Sequence, residues 1–110
     1  MRLWLDDVRN PQQLGLKRDW TWAKTAGEAI QLLEMFEVAQ ASLDYDIAWD
    51  IGATDENWED TRTGYAVAKW MADNNSWPPE GVYIHSSNLE GAARMRAVLG
   101  EHYREGRAAA

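Results

Sequence analysis

The chain has no cysteine, which excludes disulfides and thiolate metal sites. That absence fits a reducing compartment, and the expected location is the cytoplasm. No apolar run approaches the ~18 residues that a membrane span needs, and no charged-then-apolar leader opens the sequence. No internal repeat or low-complexity tract is present. Bases are missing from one region: from Asp44 to Asp60 there are seven acids and no Lys or Arg. The other eleven acids are matched by eleven bases, so the net charge of -7 resides in that segment. Such a segment attracts a divalent cation or keeps a loop solvated, and it disfavours duplex nucleic acid.

What is present describes one globular domain. The 110 residues are 45% hydrophobic and 26% charged, enough for one core and too few for two. The domain is assigned to residues 1–105, with 106–110 as a disordered tail. Seven Trp, unusual at this length, supply large buried areas.

Arg2-Leu-Trp-Leu5 is a nearly continuous apolar run and reads as a central strand. Asn10-Pro11 and Gly15 mark an irregular crossover without helical periodicity. Trp20-Thr-Trp-Ala23 is a second strand. Thr25 and Glu28 have capping-box spacing, and Ala26, Ile30, Leu33 and Phe36 recur as one helical face, predicting a helix over 26–39. Ala41-Ser-Leu43 opens a third strand. Residues 47–62 read as a long loop carrying Trp49 and Trp58. A helix begins near Thr63-Gly64, with Val67, Trp70 and Met71 as its apolar face, and Asn74 to Pro79 stop it. Gly81-Val-Tyr-Ile84 is a fourth strand. A last helix starts near Ser87, with Ala92, Met95, Leu99 and Tyr103 on one face. Strands alternating with helices predict an α/β fold with a mostly parallel sheet.

In such a sheet, ligands bind beyond the carboxyl ends of the strands. Three of the four strands end in polar chemistry: Asp6-Asp7 and Arg9, then Asp44-Tyr45-Asp46, then His85-Ser86-Ser87-Asn88. The topology brings these ends to within about 5–10 Å of one another. Carboxylates at one edge make a hard-oxygen site, which favours Mg²⁺, Mn²⁺ or Ca²⁺ over zinc. Mg²⁺ keeps positions open for phosphate oxygens, so phosphate is the natural second guest. The candidate metal ligands are Asp6, Asp7, Asp44 and Asp46. Arg9, Ser86 and Asn88 are candidates for holding phosphate. His85 is the side chain there that titrates near neutrality, which makes it the candidate acid–base, with Asp44 as its catalytic companion. Each feature alone also fits a plain role: an Asp turn, an Asn cap, a hydrogen-bonding His. Their convergence on one edge carries the argument.

Four ordered motifs, "LWLDDVRNP", "SLDYDIAWD", "TGYAVAKW" and "IHSSN", resemble the cyclic-phosphate-processing receiver-like family, a divergent branch of the response-regulator receiver fold. That family's pattern reads "LWLDD-R-P", "SLDHDLG", "TGYDV" and "HSAN", and the likeness spans about residues 1–100. The resemblance implies a flavodoxin-like, three-layer fold with a reduced four-stranded sheet, order 2-1-3-4. It implies metal-dependent phosphodiester hydrolysis of a cyclic phosphate, on a small nucleotide or an RNA 2′,3′-cyclic end. It places metal at Asp6, Asp7 and Asp44. Three departures stand out. The sequence has no fifth-strand pattern with the Lys of ordinary receivers, position 45 is Tyr where the family has His, and the loop after strand three is expanded. The alternative is a non-enzymatic metal- or phosphate-binding interaction module, docking a protein partner through loop 48–62. Phosphoacceptor signalling at Asp44 is a third possibility. No membrane partner is expected.

Overall fold

Four short strands lie side by side in the order β2-β1-β3-β4, and every neighbouring pair is parallel. They are β1 (Arg2–Leu5), β2 (Trp20–Ala23), β3 (Gln40–Leu43) and β4 (Val82–Ile84). The computed structural model describes residues 1–17, 19–47 and 58–107. The helices are α1 (Ala26–Met35), α2 (Trp58–Arg62), α3 (Gly64–Asp73) and α4 (Leu89–Leu99). No helix among the described residues is long and apolar enough to cross a membrane. The strands run in step, with Leu5 beside Ala23 and Leu43, and Leu43 beside Ile84. Asp6, Asp44 and His85, each the next residue, therefore emerge at one level of one edge.

Alternation along β1 divides its side chains between two faces. Leu3 and Leu5 enter the core with Ala41, Leu43 and Val82, against Ala29 and Leu33 of α1, Val67 and Met71 of α3, and Met95 and Leu99 of α4. Trp4 is buried on the other side, edge-on to Trp20. The irregular crossover there contains a 3₁₀ turn, Pro11–Leu14. Asn10 caps it through Gln12 N–H, and Gly15 closes it at φ 86°, a left-handed geometry that glycine adopts without steric cost.

Several boundaries differ from expectation. Helix α1 opens on the Thr25–Glu28 capping box but stops at Met35, with Phe36 extended and half exposed. Beyond it, Val38 is buried and Ala39 N–H bonds the carbonyl of Met1 at 2.8 Å, so tertiary contacts draw this segment towards the sheet. The stretch read as a loop to 62 includes α2, and Thr63 Oγ1 bonds the carbonyl of Glu59 at 2.6 Å. Residues 48–57, including Trp49, lie outside the described residues. The N-cap of α4 is Asn88 rather than Ser87: its side chain accepts Gly91 N–H at 2.9 Å. Tyr103 is past α4, where it bridges Val82 in parallel register and Arg104 N–H bonds Val82 O at 2.9 Å. One bridge thus occupies the outer side of β4, where a fifth strand would pair.

Candidate functional site

Asp6 leaves β1 buried, and its Oδ1 accepts the N–H groups of Val8 and Arg9, each at 2.9 Å. This Asp turn folds the chain back, and the Arg9 guanidinium returns to Asp6 Oδ2 at 2.7 Å. Two indoles fix the turn: Trp22 donates to the carbonyl of Asp6 at 2.6 Å, and Trp4 donates to that of Arg9 at 3.0 Å. Two of the seven Trp are therefore framework for this site.

Asp44 leaves β3 almost buried. The other guanidinium end, Arg9 Nη2, reaches Asp44 Oδ2 at 3.4 Å and the carbonyl of His85 at 3.2 Å. Burial and the neighbouring charge of Asp6 push Asp44 up to about 6, with Arg9 and a Ser86 hydrogen bond opposing. Asp6 goes the other way. Burial acts against its charge, but two backbone N–H groups and Arg9 hold its carboxyl below the ordinary range.

His85 lies flat on Trp4, rings parallel within 3° and 3.8 Å apart. Its Nδ1 is 2.7 Å from Ser42 Oγ and its Nε2 is 3.2 Å from Asp6 Oδ2. Burial pushes the ring down to about 4, against the attraction of Asp6, so it is neutral at pH 7. Its tautomer decides its chemistry. With hydrogen on Nε2, the ring donates to Asp6 while Ser42 donates to Nδ1. With hydrogen on Nδ1, Ser42 accepts and a lone pair faces Asp6, an arrangement that calls for a cation or a proton between them. Ser42 is buried in mid-strand and was not singled out from sequence. The signal was period-two alternation, which puts Ser42 on the face of Trp4, opposite the core.

Ligand atoms of Asp6, Asp44 and His85 all lie within 4.8 Å of one another. Two carboxylates and a neutral imidazole form a donor set that fits a divalent cation. Asp7 is half-buried beside Asp6, and Asp46 is exposed; neither is in that trio. The Asn88 side-chain N–H₂ donates to Asp46 Oδ1 at 3.3 Å, tying the ends of β3 and β4 together. Ser86 Oγ accepts Asn88 N–H at 3.1 Å, which leaves its hydroxyl turned to this edge.

Tyr45 is not part of the cluster. Its ring packs in the core, edge-on to Trp58, and its hydroxyl bonds Glu59 and accepts from Arg94 at 3.1 Å. Arg94 in turn meets Glu59 at 2.6 Å. Burial and the Glu59 carboxylate push the phenol further up. Tyr45 is a latch between α2 and α4, and its hydroxyl is used there rather than at the strand edge.

With this geometry in view, the family likeness is decisive. A model of the cyclic-phosphate processing receiver domain matches residues 1–101. The chain belongs to that family. Its fold also matches solved receiver domains. One is the Francisella response regulator 1452 receiver domain, with 17% identity and a TM-score of 0.62 over 92% of this chain and 78% of that one. Another is the signal receiver domain of a protein named as a Luxo repressor from Vibrio parahaemolyticus, with 19% identity and a TM-score of 0.63 over 94% and 77%. At such identities the likeness concerns the fold. No curated protein matches the chain.

Proposed function

We propose that this receiver domain is a divalent-metal-dependent phosphodiesterase, opening a cyclic phosphate on a small nucleotide or an RNA terminus. The observation that carries the reading is the convergence of Asp6, Asp44 and His85 at one strand edge, with Arg9 and Ser86 beside them. Asp6 and Asp44 would hold the cation, with Asp7 and Asp46 supporting. The oxygen donors suit Mg²⁺ or Mn²⁺. A bound ion supplies charge stabilisation on phosphate oxygens and an acidified water.

The protein's own groups do the rest. Arg9 and Ser86 orient the phosphate, and Asn88 steadies the loop that carries Ser86. Hydrolysis forms one P–O bond from water and breaks one P–O bond to a ribose oxygen. The water proton passes to neutral His85 and then to the departing ribose oxygen, so the ring is a relay rather than a standing acid. Ser42 orients that relay. In a steady-state assay on a 2′,3′-cyclic mononucleotide, activity should vanish with chelator and return with Mg²⁺ or Mn²⁺. Asp6→Asn should lower it at least ~100-fold, the scale of a lost charge-stabilising group. Undiminished turnover in chelator contradicts the reading.

One observation favours a second reading, an interaction module without turnover. Arg9 already spans both carboxylates, so the protein itself offsets one of their two charges. Binding of cation and cyclic phosphate without any conversion would select that reading, with segment 48–62 as the face offered to a protein partner.

A further inference from the structure

On the sheet face opposite the core, a cavity of about 630 Å³ opens against the site. It is lined by Arg9, His85 and Ser86 of the site, by Trp4 and Ser42 of the sheet, and by Leu14, Leu16 and Arg107. Its volume lies within the ~300–1,000 Å³ of small-ligand sites. Its character departs from that of the chain. The protein carries -7 overall, yet this cavity is lined by two arginines and by no acid among the described residues. Arg107 makes no ion pair with any other described residue. Leu14 is half exposed, an apolar side chain at the mouth of a charged cleft.

These features specify a ligand with two parts. One part is anionic and meets Arg9 and Ser86. The other is a flat or apolar body, large enough to use the Leu14, Leu16 and Ile84 walls. Free phosphate would leave those walls unused. A long acidic peptide would not match a cavity closed on several sides. Resting on the reading that the strand edge handles a cyclic phosphate, we propose that this cavity is a nucleoside subsite. It takes the base and sugar of a nucleoside 2′,3′-cyclic phosphate, while the phosphate lies at Arg9 and Ser86. Arg107 adds a second positive charge to the lining. The crossover containing Pro11–Leu14 thus has a use: it supplies the wall that a helix in its place would fill.

The test is calorimetric, on the full chain with Mn²⁺. Its ligands are adenosine 2′,3′-cyclic phosphate and methyl riboside 2,3-cyclic phosphate, which lacks the base. Stacking and apolar contact with one base imply at least about tenfold tighter binding of the nucleotide. Leu14→Ser should abolish that gap and leave the base-free ligand within about twofold of wild type. Leu16→Ala, a milder change, should narrow the gap in the same direction. The Trp4 indole N–H resonance should shift further with the nucleotide than with the base-free ligand. Equal affinity for the two ligands, or a gap unchanged in both variants, overturns the subsite. The parent reading is separable: hydrolysis of both ligands without a gap keeps the enzyme and removes the subsite. A gap without hydrolysis keeps the subsite and removes the enzyme, and no binding of either ligand removes both.

Discussion

A carboxylate buried beside a second carboxylate destabilises a fold unless a proton or a cation joins it, and Asp44 is in that position. Its pKa rises from 3.8 to about 6, so the folded state favours the protonated form. The stability this contributes is complete below pH 3.8 and is lost as pH rises through about 6. His85 falls from 6.5 to about 4, which favours the neutral ring. Its contribution is complete above 6.5 and is lost as pH falls through about 4. The two slopes oppose each other over the same window. Each shift is on the order of 3 kcal/mol, so wild type should be nearly flat there. Asp44→Asn removes one slope. In chelator, the variant should match wild type near pH 4 and exceed it by about 1–3 kcal/mol at pH 7.5. Urea unfolding at both pH values checks this; a variant less stable at pH 7.5 contradicts it. Divalent cation should raise the midpoint of wild type and not that of the variant. At this scale the sequence was partly legible. Asp6, Asp44, Arg9 and His85 were visible as strand-end chemistry. Ser42 was not, because a serine within a strand gives no motif, and the latch role of Tyr45 depends on partners 14 and 49 residues away.

Between elements, two glycines set how near the helices come to the sheet edge. A Cβ at Gly64 would lie 2.0 Å from the carbonyl oxygen of Asp44, and one at Gly91 would lie 2.4 Å from ring carbons of Tyr45. Helices α3 and α4 therefore start where only a bare backbone fits, and this close approach holds the end of β3 in place. Gly91→Ala must push α4 away or displace the Tyr45 ring, at a cost of about 1–3 kcal/mol or more. Equilibrium denaturation should show that loss, together with weaker cation binding, since α4 carries the Asn88 cap that reaches Asp46. A variant as stable as wild type would show that α4 yields freely. The existence of α1, α3 and α4 was readable from apolar spacing, helped at α1 by its capping box. The ends were less so: α1 is shorter than its apolar pattern because the sheet recruits Val38 and Ala39. The 3₁₀ turn and α2 are too short for periodicity to reveal.

For the whole molecule, topology does the assembling. A parallel sheet with β1 central and β3 beside it makes neighbours of residues 6, 44 and 85 without any local signal linking them. The order 2-1-3-4 was legible through the resemblance that the four motifs carry; the alternation of strands and helices predicts only a mostly parallel sheet. The cavity opposite the core was not legible. It arises where the crossover is irregular, and sequence indicates only that a helical pattern is missing there.

The proposed activity, hydrolysis of a cyclic phosphate at this edge with a divalent cation held by Asp44, has a direct readout. Phosphorus NMR of a 2′,3′-cyclic mononucleotide, incubated with Mg²⁺ and wild-type or Asp44→Asn protein, tests it most directly. The cyclic resonance should be replaced by a single phosphomonoester signal with wild type and persist with the variant. A resonance that persists with both proteins, or equal conversion by both, would contradict it.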